Sequence, residues 1–370
     1  MLARFWRLWY IGDGYKTQDI VIQKKEADGV SGQKKAYRMS KEEKKYLEQY
    51  DITRFDRPSI AADVAVFSIM GKQCVSNPVR DAENFRKLPE RKLKILLVKR
   101  AGYPYRDQWA LPGGFCRSNE DVHETARREL YEETHVKDAY INLCGIYGDV
   151  GRDPRGWIIS HTFLALLDGE KCDLRAGSDA WEARWFDVEL EKKEIARSVK
   201  ESYALVENEY VLWLVNTDEG ATNLGSSGWG RGGLDRAALA GDGSGWEAVS
   251  LSAVIRERRE CVDYHETMQY EIVEHQGFAF DHAKIMTCAL LSLRRLAETD
   301  GAVVFDLMPE AFTLTQLQKA FETILDQKLT AANFRRKIAP YVIETEQMIE
   351  GAGHRPAKLF RRNLEAFFRC

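Results

Sequence analysis

The chain has 370 residues, 44% hydrophobic and 30% charged, with a net charge of −3. That length accommodates two or three domains with real cores. The charge balance excludes a polycation that coats nucleic acid along its whole surface; such a contact needs a local basic patch. The opening MLARFWRLWYI is apolar but broken by Arg4 and Arg7. It is too short and too charged to cross a membrane, and a strand or docking segment is the expectation. Seven scattered cysteines without a CxxC pair argue against zinc or redox motifs and fit free thiols in a reducing cytoplasm.

In chain order, residues 1–39 form an unassigned extension. A helix is predicted over 40–50, with Ser40 as N-cap and Glu43 completing the cap. Strand-like runs follow at 60–70 and 94–99, separated by a charged excursion. A turn at 110–114 leads into a helix over 120–134, and strands return at 141–146, 157–167 and 181–188. Residues 189–276 read as an insertion with one strand, 210–215. Its Gly-rich stretch, 219–245, has too few large apolar residues to order itself. Residues 281–296 carry Ile285, Met286, Ala289, Leu290 and Leu293 at helical spacing, which core packing explains.

The chemistry concentrates in GGFCRSNEDVHETARRELYEETHV, residues 113–136. Ser118 and Asp121 offer a helix start. Glu129, Glu132 and Glu133 then fall at i, i+3 and i+4, on one helix face. Like charges so placed repel by a few tenths of a kcal/mol per pair, roughly. A hard divalent cation reverses that sign, and Mg²⁺ works through carboxylates together with phosphate oxygens. The Gly113-Gly114 pair lets backbone approach closely.

This segment resembles the Nudix box. Gly114, Glu120, Arg128, Glu129, Leu130, Glu132, Glu133 and Val136 match at the family's spacings. His135 stands where the box has a helix-ending glycine; histidine tolerates the left-handed conformation at about 1 kcal/mol. The resemblance implies that Glu129, Glu132 and Glu133, with the Gly113 carbonyl, bind Mg²⁺, with Mn²⁺ as the alternative. It implies that Arg128 holds the glutamates and that Glu120 supports the loop or a further metal. A base from a separate loop is expected at Glu170 or Glu182, with Glu182 taken as the catalytic one. GDVGRDPRGWIISHTFLAL (148–166), DAWEARWF (179–186) and the Asp281-His282 pair resemble the ADP-ribose pyrophosphatase branch. Arg152, Arg155, Gly114 and Tyr105 are then expected substrate contacts, with Tyr103 and Trp109 as further candidates for stacking on a base.

At the C-terminal end, 313–325 is an amphipathic helix with Leu314, Leu317, Phe321 and Leu325 on one face. After a short turn, Thr330 is expected to cap a second helix, TAANFRRKIA. A hairpin wing over 341–362, with Gly351 and Gly353 at its tip, completes a winged helix-turn-helix. From Pro309 onward there are 10 Lys/Arg and 7 Asp/Glu, a net +3. NFRRKI and GAGHRPAKLFRRN resemble the tail of Nudix-related transcriptional regulators. Asn333, Arg335, Arg336, Lys337, Arg355 and Lys358 are the implied DNA contacts. The alternative is a packing or dimerisation module of the same shape.

The expected fold is therefore α+β: an α/β/α sandwich with a mixed sheet over 40–300, then a winged helix over 301–370. The expected function is Mg²⁺-dependent hydrolysis of a diphosphate linkage in ADP-ribose or a related nucleoside diphosphate derivative. Two alternatives stand beside it: a DNA-binding regulator that senses such ligands, and a housecleaning enzyme for oxidised nucleoside triphosphates. Duplex DNA and a second copy of the chain are the expected macromolecular partners, with no membrane contact and a cytoplasmic location.

Overall fold

The computed structural model describes residues 39–71, 91–136, 139–167, 180–216, 248–349 and 357–368. The extension before 39, the charged excursion, the Gly-rich stretch, Glu170 and the wing tip with Arg355 lie outside the described residues. Met1–Pro58 and Ser59–Cys370 form separate compact units. In the first, α1 (Lys41–Gln49) begins at Ser40, whose hydroxyl accepts the Glu43 N–H while the Glu43 carboxylate accepts the Ser40 N–H. This is the reciprocal cap expected from the sequence.

The second unit is built on a mixed sheet, ten-stranded among the described residues. Its strands are β1 (Ser59–Gly71), β2 (Arg91–Arg100), β3 (Trp109–Ala110), β4 (Gly113–Phe115), β5 (Tyr140–Tyr147), β6 (Ile158–Leu166), β7 (Ala180–Lys200), β8 (Tyr203–Asn216), β9 (Val249–Val262) and β10 (His265–Gln276). The order is β10-β9-β8-β7-β2-β1-β6-β5, with β3 on β2 and β4 on β1. The β1–β6 pair is parallel; β1 pairs antiparallel with β2 and β4.

The alternation of β1 explains the layers. Ala62, Val64 and Val66 pack with Ala126 and Leu130 of α2 (Val122–Thr134). Ala65, Phe67 and Ile69 point the other way, into a cluster with Ile285, Met286, Leu290 and Leu293 of α3 (His282–Thr299). A strand covered on both faces is apolar nearly throughout, which is why β1 reads as a hydrophobic run over 60–70 interrupted only by Asp63 and Ser68.

The α3 cluster continues into the C-terminal helices α4 (Leu314–Leu325) and α5 (Ala331–Ile338) through Leu317, Phe321, Ile324, Phe334 and Ile338. The Phe321 and Phe334 rings meet at 5.5 Å, edge to face. Thr313 caps α4 reciprocally with Gln316. The buried Glu322 accepts the Leu329 N–H, and Gln318 donates to the Leu329 carbonyl, fixing the turn between the helices. Thr330 occupies the N-cap position of α5 but its side chain makes no cap bond, unlike the expectation. The wing strands β11 (Val342–Ile349) and β12 (Ala357–Arg362) pair antiparallel, and α6 (Leu364–Phe368) follows.

One expectation differs substantially. The segment read as an insertion with a single strand contains most of β7 and all of β8, β9 and β10. These strands extend the central sheet antiparallel, register by register, on both sides of the Gly-rich stretch. Among the described residues no helix is long and apolar enough to cross a membrane.

Candidate functional site

The acidic helix α2 starts at Asp121, three residues after Ser118. Asp121 and Glu124 form a reciprocal cap. It ends at His135, whose φ of 58° and ψ of 12° place it in the left-handed region, where the Nudix box has glycine.

Arg128 organises the carboxylates. Its Nη2 and Nε donate to Glu120 at 2.8 and 3.1 Å, and its Nη1 donates to Glu129 at 2.6 Å. Nη1 also reaches Glu132 at 3.5 Å, and Nη2 bonds the Phe115 carbonyl at 3.2 Å. The Arg128 hydrogen bonds hold the Glu120 carboxyl down at about 2. Burial pushes Glu129 above its ordinary value, against the pull of Arg128. Glu133 is buried and Glu132 is exposed.

The two glycines have separate reasons. A Cβ on Gly114 would lie 2.2 Å from Glu129 Oε1. A Cβ on Gly113 would lie 2.5 Å from the Ala62 carbonyl oxygen and 2.9 Å from Asp63 Cα. Gly113 therefore permits the β1–β4 pairing, and Gly114 makes room for a carboxylate.

The donor chemistry suits a hard divalent cation: oxygen ligands on one helix face, one of them half-desolvated and destabilised as an anion. Among the described residues, however, no three acidic, His or Cys side chains are gathered around a common point. Arg128 bridges Glu129 and Glu132 instead, so ion binding requires those side chains to regroup.

A second polar cluster lies beneath the site. Arg152 was expected to meet substrate. Its side chain is only 5% exposed, and it grips Asp281 through Nε–Oδ2 at 3.0 Å and Nη2–Oδ1 at 2.6 Å. Asp281 precedes α3 and makes no cap bond there; its carboxylate serves Arg152 instead. Asp63 on β1 accepts the Ser160 hydroxyl and lies 4.0 Å from Arg152 Nη2 and 3.9 Å from His282 Nε2. His282 Nδ1 accepts the Leu111 N–H at 2.9 Å, and burial lowers the imidazole's affinity for a second proton. The ring is then neutral, with its proton on Nε2. Lys284 pairs with Asp149.

Arg155, three residues after Arg152, behaves differently. Asp153 holds it in a fork, and its side chain is 40% exposed over the Phe115 ring at 5.0 Å and the Phe280 ring at 5.3 Å. Tyr105 packs edge-on against Phe280 at 4.7 Å, and Arg100 covers that ring at 4.9 Å. Phe115 is the residue whose carbonyl binds Arg128, so Arg155 and the acidic helix adjoin. Trp109 is a core residue against Phe186 and is not free to stack on a base. Tyr103 is 82% exposed.

Glu182, the second base candidate, lies on β7 opposite Lys99 and is ion-paired with Arg184. Sequence reasoning missed Phe115, Phe280, Asp63 and Lys284. Only Asp63 left a local signal, as the lone acid within the apolar run of β1.

On α5, Asn333, Arg335, Arg336 and Lys337 are all exposed, opposite the buried Phe334 and Ile338. Lys358 on the wing is paired with Glu344 across the hairpin.

Residues 87–206 match the family described as NUDIX domain, and residues 304–362 match the NrtR DNA-binding winged helix domain. The chain is 24% identical over 328 residues to the ADPR responsive transcriptional repressor NtrR of Acinetobacter baylyi, covering 88% of this chain and 90% of that protein. It is 45% identical over 100 residues to the ADP-ribose pyrophosphatase of Methanocaldococcus jannaschii, which is 27% of this chain and 57% of that enzyme. A MutT/nudix family protein from Enterococcus faecalis superposes with a TM-score of 0.51 at 21% identity, covering 89% of this chain and all of that one. The chain thus belongs to the Nudix superfamily, and it joins a NUDIX domain to a winged helix domain of the NrtR DNA-binding type.

Proposed function

We propose that this chain is a transcriptional regulator whose Nudix domain binds ADP-ribose or a related nucleoside diphosphate derivative, and whose winged helix binds duplex DNA in a ligand-dependent way. One observation carries this reading: similarity to a repressor described as ADPR responsive runs through both domains, not only the Nudix box. The geometry supports it. α5 offers Asn333, Arg335, Arg336 and Lys337 on an exposed face, suited to a major groove, with Lys358 on the adjoining wing. In the Nudix domain, Arg155 and Phe115 offer a cation over an aromatic face beside the acidic helix, suited to a diphosphate and an attached ring. Bound Mg²⁺, held by Glu129, Glu132 and Glu133 with the Gly113 carbonyl, would supply charge neutralisation at the diphosphate.

DNA binding by the full chain should be strongly salt-dependent. Each phosphate contact contributes about 0.9 to the slope of log affinity against log salt. Arg335→Ala with Arg336→Ala should weaken binding and reduce that slope by about 2. A double variant whose affinity and slope match the wild type would leave the winged helix as a packing module.

A second reading, turnover of the same ligand, is favoured by the complete Glu120, Arg128, Glu129, Glu132 and Glu133 set and by the similarity to an ADP-ribose pyrophosphatase. It predicts AMP release from ADP-ribose with Mg²⁺, falling by about 10²-fold or more in Glu133→Gln. Equal rates in the two proteins would remove it.

A further inference from the structure

The loop that carries Arg155 to the Nudix site also carries Asp149 and Arg152, and both of these turn toward α3. Arg152 forks onto Asp281, immediately before the helix, and Asp149 pairs with Lys284 in its first turn. Asp63 joins the same cluster from the other side. Its backbone packs against Gly113, at the start of the Nudix box, and its carboxylate faces Arg152 at 4.0 Å. The cluster therefore touches both walls of the site, Gly113 on one side and the Arg155 loop on the other.

The far end of α3 holds the winged helix. The helix has 18 residues, about 27 Å at 1.5 Å per residue. Near its C-terminal end, Arg294 Nε donates to the Ile324 carbonyl of α4 at 3.1 Å, and Nη2 faces Asp326 at 3.8 Å. Asp326 is the left-handed cap of α4, the residue that turns the chain toward α5. A rigid helix thus has one end tied to the ligand loop and the other to the turn that sets the DNA-reading helix.

Ion pairs at the ligand end suit a switch with discrete states. Arg152 and Asp281 are 5% and 9% exposed, so neither charge is stable there without its partner. Movement of the Arg155 loop toward a bound diphosphate would pull Arg152 off Asp281 and break the fork rather than stretch it, and α3 would lose its anchor.

We propose that the Arg152–Asp281 pair, with Lys284–Asp149 at its rim, transmits occupancy of the Nudix site to the winged helix, so that Arg152 is a coupling residue and not a ligand contact. This rests on the ligand-responsive reading given above.

The test uses the full chain, ADP-ribose with Mg²⁺, and a duplex that the full chain selects from a random pool. Fluorescence anisotropy gives the DNA affinity with and without saturating ADP-ribose, and calorimetry gives the ADP-ribose affinity. In the wild type the two DNA affinities should differ by roughly 5–150-fold. Arg152→Met with Asp281→Leu removes both charges together; the ratio should fall to about 1 while ADP-ribose affinity stays within about threefold. Asp149→Asn, at an exposed carboxylate, removes only the rim pair and covers the case in which the double variant fails to fold. Its ratio should fall by about threefold or more at unchanged ADP-ribose affinity. A wild-type ratio of 1 would overturn the ligand-responsive reading and the coupling with it. Variants that keep the wild-type ratio, or that lose ADP-ribose affinity in proportion, would overturn the coupling alone.

Discussion

Arg152→Met alone should lower the unfolding free energy by about 3–5 kcal/mol, the largest effect expected of a single substitution here. The reason is asymmetry. The substitution removes two charge-assisted bonds to Asp281 and leaves that carboxylate buried with Lys284 Nζ 3.9 Å away as its remaining cation. Asp63 loses its guanidinium neighbour at the same time. Removing the partner as well, by adding Asp281→Leu, should restore most of the loss, because an apolar pair of similar size needs no compensating charge. Denaturant midpoints of the two proteins check this. A single variant as stable as the wild type would mean that solvent reaches Asp281 and that the cluster is not a sealed network.

The second large effect separates two adjacent glycines. Gly113→Ala should cost about 1–3 kcal/mol of stability, because its Cβ meets backbone of β1, which cannot yield without disturbing the sheet. Gly114→Ala meets a carboxylate instead, and Glu129 can swing aside, so stability should change little. The position of Glu129 should change by more than an ångström, since a 2.2 Å contact must open to ordinary separation. Displacements of that size cost about 10²-fold in functions that depend on placement. Denaturant unfolding and Mg²⁺-dependent ADP-ribose binding, measured on both variants, give the contrast. Equal losses of stability in the two would contradict the separate roles assigned to these residues.

The acidic helix was legible because its information is local. Asp121, Glu124, Arg128 and the three glutamates lie within a few helical turns, and spacing alone places them on one helix; that Arg128 bridges Glu129 and Glu132 instead of leaving them to converge was not legible. The packed face of α4 was legible for the same reason, through Leu317 and Phe321 at helical spacing. The Arg152–Asp281 pair was not, because its members are 129 residues apart. An arginine in a Gly/Pro turn reads as exposed until its distant partner is known. The outer strands were hidden by composition. Beyond the core, β7 reads EKKEIARSVK and β9 reads RRE at 258–260. These residues are mostly exposed, so the apolar alternation that marks a strand fades while the backbone pairing continues. The buried Glu257 shows how polarity persists inside this part of the sheet. It accepts from Asn208, Tyr210 and Tyr270 on the flanking strands, bonds that a hydropathy pattern registers only as a break.

Two charged features now have different weights. The winged helix keeps its basic face outward, with Phe334 and Ile338 turned into the core. The acidic helix is held by an internal guanidinium, and a metal ion must displace part of that arrangement to bind. A site whose carboxylates regroup around an incoming metal and diphosphate changes its internal charge pairing as it fills. That property serves a sensor as well as an enzyme.

The most direct measurement is DNA binding by the wild-type full chain, titrated with ADP-ribose at fixed Mg²⁺ and salt. Tight, salt-sensitive duplex binding is expected, with an affinity that shifts by roughly 5-fold or more as ADP-ribose saturates the Nudix domain. An affinity for DNA that is the same at every ADP-ribose concentration, with the ligand shown to be bound, would contradict it.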